Sequence, residues 1–63
     1  MNVSCRTYIT EVDLLTRAGR VIRYTGQCKA QQPDPDVMID GAIIAALSYH
    51  PDAEILESRV RTA

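Results

Sequence analysis

No tryptophan and no phenylalanine occur in these 63 residues, and three tyrosines are the only large aromatic rings. A core made without them has to be largely aliphatic, which restricts it to close packing of Val, Ile, Leu and Ala. There is also a single histidine. Ser48 and His50 stand two apart on one helical stretch and point to different sides, so they do not form a nucleophile and base. Nothing in the spacing gathers Cys5, His50 and Asp52 into a triad either. The two cysteines, Cys5 and Cys28, lack CxxC spacing and a second pair, which leaves neither a redox motif nor a zinc site. Asp34, Asp36 and Asp40 lack the alternating oxygen ligands and closing glutamate of a calcium loop. No cofactor or metal is therefore expected, and no catalytic residue is assigned.

The opening residues MNVSCRTYIT show neither the basic start nor the apolar run of a secretory signal. The longest apolar run elsewhere is far short of the roughly 20 residues that span a bilayer. A soluble, cytoplasmic protein with reduced thiols and no membrane contact is the expectation. What the sequence does contain is 46% apolar and 24% charged residues, the balance of a globular chain. Below about 70–80 residues a lone core seldom supplies more than about 3–5 kcal/mol. A single domain over 1–63 is expected to need a partner.

Net charge is −1, but residues 33 to 54 carry Asp34, Asp36, Asp40, Asp52 and Glu54 with no base, so all seven bases fall outside that window. An acidic region is expected around this stretch and a more basic one on the flanking segments.

Residues 6–30 read as a hairpin. Tyr8, Thr10, Val12 and Leu14 alternate along one segment, and Ile22, Tyr24, Gly26 and Cys28 along the other, each with the period of a half-buried strand. A two-residue loop would set Leu14 opposite Arg23. A three-residue loop, Arg17-Ala18-Gly19, sets Leu14 opposite Ile22, Val12 opposite Tyr24 and Tyr8 opposite Cys28, and so gathers one apolar face. It also puts Gly19 where such loops require a left-handed residue.

Residues 31–34 are a polar connector. Asp34 followed by Pro35 is a helix start, and Pro51 forbids continuation, so a helix is expected over 35–50. A third strand over 53–61 is expected to alternate strictly, with Glu54, Leu56, Ser58 and Val60 on one side. The resulting fold class is α+β: a small ββαβ unit with one helix on a three-stranded, wholly antiparallel sheet. Order 2-1-3 is favoured over a parallel pairing of the third strand with the second.

At 100° per residue, Met38, Ile39, Ala42, Ile43, Ala46, Leu47 and Tyr49 share the arc that faces the sheet. The opposite arc ought to be polar. It holds Val37, Gly41, Ile44, Ala45 and Ser48, whose spacing is that of a helix seam meeting another helix. The expected function is thus a non-catalytic binding or regulatory protein, acting as a homodimer on a macromolecular partner, most reasonably a protein. A nucleic-acid binder is the first alternative, using Arg23, Lys29, Arg59 and Arg61 on the open sheet face, where Glu11, Asp13 and Glu57 also lie. A small oligomeric enzyme of unknown chemistry is the second.

Overall fold

A computed structural model describes residues 5–63, and the reading of Met1–Ser4 as part of a non-secretory start lies outside them. The chain runs β1 (Arg6–Leu15), β2 (Val21–Ala30), α1 (Pro35–Tyr49) and β3 (Glu54–Thr62). The sheet has order β2-β1-β3 and both pairings are antiparallel, so the fold is the α+β ββαβ arrangement that the patterning requires. The ten-residue strands outreach the helix laid on them.

The hairpin closes in the register that gathers the apolar side chains. Leu14 faces Ile22, Val12 faces Tyr24 and Tyr8 faces Cys28. Thr16 N–H donates to the Arg20 carbonyl at 2.8 Å, Gly19 N–H to the Thr16 carbonyl at 2.9 Å, and Arg20 N–H to Thr16 Oγ1 at 3.1 Å. These bonds close a three-residue loop. Gly19 has φ of 83°, a conformation that costs a side-chain-bearing residue roughly 1–2 kcal/mol.

Helix α1 starts where its cap says it should. The Asp34 carboxylate accepts from Asp36 N–H at 3.2 Å and Val37 N–H at 3.4 Å, and Pro35 occupies the first turn, where a missing donor does no harm. At the other end His50 caps the helix, donating its backbone N–H to the Ala46 carbonyl before Pro51.

The third strand departs from strict alternation. Asp13 pairs with Glu57 but Leu14 pairs with Ile55, so Leu56 is an extra residue in a β-bulge. Beyond the bulge the parity reverses: Ile55 joins Ser58 and Val60 on the helix side, while Glu54 moves to the outer face opposite Leu15. The expected set of Glu54, Leu56, Ser58 and Val60 on one side is therefore corrected. Strict alternation would have taken Ile55, the more useful core residue, out of the core.

Val12, Leu14, Ala42 and Ala46 form the buried cluster, with Ile22, Tyr24, Ile43, Leu47, Ala53 and Ile55 packed around it. Val12 and Leu14 are its only large, fully buried side chains among the described residues. Tyr49 lies on the sheet-facing arc, as expected, but is not buried there. It is 72% exposed, at the rim, where its ring stacks on Tyr24 with centroids 6.2 Å apart. The helix ends at Tyr49, so no following turn presses the ring inward.

Candidate functional site

The outward arc of α1 is bare. Val37 is 65% exposed and Ile44 70% exposed, with Gly41 and Ser48 exposed between them and Ala45 half-buried beside them. The Ser48 hydroxyl donates to the Ala45 carbonyl of its own helix at 2.7 Å, which leaves it less need of water than an unbonded serine would have. Around Gly41 there is open space: beyond its chain neighbours and the helix's own nearby backbone, a Cβ built there meets no atom within 4 Å. Asp40 flanks this stripe and is exposed to solvent. The five residues read from the sequence as a seam thus lie on one continuous, uncharged surface.

The outer sheet face is charged but self-neutralised. Glu11 and Asp13 of the central strand sit between arginines from both edge strands. Arg23 Nε donates to Asp13 Oδ1 at 2.7 Å, and Arg59 Nε donates to Glu11 Oε1 at 3.0 Å. Both terminal nitrogens of Arg59 reach Asp13 Oδ2 at 3.3 Å. Arg61 approaches Glu11 at 3.8 Å, and Glu57 approaches Arg59 at 3.8 Å. The side chains of Glu11 and Asp13 are only 14% and 15% exposed. The Arg23 hydrogen bond, helped by Arg59 and opposed by partial desolvation, holds the Asp13 carboxyl below its ordinary pKa. The same contacts raise both arginines above theirs.

Arg23, Lys29, Arg59 and Arg61 are therefore brought to one face, as the nucleic-acid alternative requires. They share it with Glu11, Asp13 and Glu57, which pair with Arg23, Arg59 and Arg61, while Lys29, opposite Thr7, and Glu54, added by the bulge opposite Leu15, lie at its two ends. Tyr8 and Tyr24 point to the helix side, which leaves this face without a ring on which a base could stack.

The remaining chemistry-bearing residues stay apart. Asp52 reaches Arg17 at the hairpin loop, at 3.8 Å, and His50 is close by in the chain. Cys5 precedes the far end of β1, a ten-residue strand about 33 Å long. Cys5 and Cys28 are free thiols, exposed and half-buried respectively.

One feature was not read from the sequence. Between β2 and α1 runs a groove of about 420 Å³, with Thr10, Gly26 and Cys28 at its floor and Met38, Gly41 and Ala42 along the helix wall. The available signal was Gly26, an isolated glycine within a strand pattern, which often marks a close approach of another group.

No family model matches this chain, and no solved structure matches it. A pentatricopeptide repeat-containing protein of Arabidopsis thaliana is 38% identical over 48 residues, 76% of this chain but 9% of that protein. The chain spans about a tenth of that relative's length. A 48-residue stretch of a 63-residue chain always includes residues 16 to 48, hence all of β2. No helix among the described residues is long and apolar enough to cross a membrane.

Proposed function

We propose that this chain is a non-catalytic binding protein that assembles as a homodimer through the outward face of α1 and acts on a protein partner. The observation that carries the reading is the exposed stripe of Val37, Gly41, Ile44 and Ser48 on a helix whose other face already covers the sheet. A fold with two large, fully buried side chains has little core of its own, and a second copy laid on that stripe would supply the missing burial. Gly41, with open space beside it, lets two helix backbones approach closely. Val21 and Leu56, 66% and 51% exposed on opposite edges of the sheet, remain for the partner.

Sedimentation at micromolar concentration should give about twice the 7.0 kDa chain mass. Ile44→Glu should yield monomer or unfolded chain, because burying a carboxylate without a partner costs several kcal/mol. A dimer unchanged in that variant would remove the seam from consideration. Ionic strength separates self-association from capture of a basic partner. Asp36 and Asp40 flank the seam in both copies, so added salt should tighten a homodimer and loosen a complex with a cationic surface.

A further inference from the structure

We propose that the groove between β2 and α1 is a binding site for a small, uncharged, mainly apolar molecule bearing one hydrogen-bonding oxygen. Two hydroxyls at its floor carry the argument. A Cβ at Gly26 would lie 3.0 Å from Thr10 Oγ1 and 3.2 Å from both Cε1 and Oη of Tyr24. The Tyr24 ring therefore lies over the glycine, and both oxygens gather above one backbone position that only a residue without a side chain keeps clear.

Thr10 is 5% exposed, and neither its hydroxyl nor that of Tyr24 hydrogen-bonds to any described residue. Among the described residues no side-chain oxygen is both sealed and unpartnered, so Thr10 Oγ1 opens into the groove it lines. A hydroxyl on the core face of a strand with no protein partner gains nothing for the fold. Valine would pack as well there.

The volume falls within the range of small-molecule sites, and apolar walls with a few convergent polar atoms are their usual composition. The charged group at the mouth does not favour an ion: Asp34 is engaged with the helix amides, and the Lys29 side chain belongs to the outer sheet face. Two hydroxyls, each able to donate and accept, suit a carbonyl or hydroxyl oxygen. The site lies within one chain and does not rest on the proposed dimer.

The test uses 2-naphthol as the probe, with naphthalene and 2-naphthalenesulfonate as controls, followed by ¹⁵N chemical shifts on the full chain. Saturable binding of 2-naphthol is expected, with shifts centred on Thr10, Gly26 and Cys28. Thr10→Val and Tyr24→Phe should each weaken it about threefold to tenfold, the loss of one hydrogen bond. Naphthalene, without an oxygen, should bind wild type and both variants alike. Thr10→Val should melt no lower than wild type, which separates lost recognition from lost folding. Three results would overturn the site: no saturable shift up to the solubility of 2-naphthol, equal affinity in wild type and both variants, or tighter binding of the sulfonate than of the naphthol. Binding is read from shifts and assembly from mass, so either proposal can fail alone.

Discussion

Gly41→Ala gives the sharpest test of the seam, because the two descriptions of that surface predict opposite signs. In an isolated chain the substitution can only help. Gly41 sits in the interior of a 15-residue helix, and a Cβ there meets nothing within 4 Å beyond its chain neighbours and the helix's own nearby backbone, so the full helix-propensity gain of about 0.8–1 kcal/mol is available. For a domain of this size that raises Tm by about 4–8 °C. In a dimer whose helices cross at Gly41, two new methyl groups instead enter a close contact, and overpacking of that kind costs about 1–3 kcal/mol. The expected result is a higher Tm at the lowest protein concentrations and a diminished or reversed gain at the highest, with more monomer by sedimentation. The measurement is a concentration series of thermal melts on both proteins. A constant gain at every concentration, with unchanged mass, would mean that no helix approaches Gly41 and that the argument from the stripe is wrong.

Three further expectations follow from the geometry. Gly19→Ala should destabilise by about 1–2 kcal/mol, since φ of 83° strains any side chain although no atom obstructs it; a melt within 1 °C of wild type would show that the loop can relax. Asp13 has a folded pKa below its unfolded one, so its contribution to stability is fully present above the unfolded value near 4 and is lost as pH falls through the folded value. Acid titration should thus show stability falling below about pH 4, with a smaller fall in Asp13→Asn; identical acid profiles would remove the Arg23–Asp13–Arg59 cluster as the cause. A single-stranded oligonucleotide should bind no tighter than about 100 µM near physiological salt, the weak end of non-specific binding, because Glu11, Asp13 and Glu57 already pair with three of the four cations. Micromolar affinity that falls steeply with salt and is weakened by Arg23→Ala and Arg59→Ala would restore the nucleic-acid alternative.

The fold was legible wherever one local rule and one tertiary requirement coincided. At the hairpin, the loop that accommodates Gly19 is also the loop that puts Leu14 against Ile22, so two signals chose one register. Asp34-Pro35 and Pro51 mark the helix by what a backbone amide can and cannot do, independently of packing. The bulge at Leu56 was not legible, because nothing in EILESRV favours one register over the other until Ile55 is weighed against Leu56 for a place beside Leu14. The exposure of Tyr49 was not legible either: the angular arc places it toward the sheet, where it stacks on Tyr24, but does not say that the ring stays at the rim. The groove escaped notice because its polar atoms, Thr10 and Tyr24, lie on different strands and read individually as ordinary inward residues. Only pairing across Gly26 gathers them.

Protective features are distributed unevenly over the surface, and the helix side carries fewest of them. Sheet edges invite pairing with other chains, and both edges here carry features that oppose it: the bulge and the Glu57, Arg59, Arg61 series in β3, and Arg23 and Lys29 in β2. The outer face is closed by arginines that satisfy carboxylates from a neighbouring strand, so it has little charge left for a partner. No comparable feature protects the stripe of Val37, Gly41 and Ile44, although a single lysine at any of these positions would do so at little cost to an exposed helix. Asp40, beside them, is the only charge between Val37 and Ser48. Val21, Tyr49 and Leu56 are exposed singly, whereas Val37, Gly41 and Ile44 make a contiguous apolar stripe, and such a stripe is where contact with another molecule costs least in desolvation. The groove opens along the same helix, with Val37 and Gly41 bordering both. If the seam closes on a second copy, the groove mouth must lie at the margin of that contact, and ligand occupancy and assembly should then be coupled through Gly41.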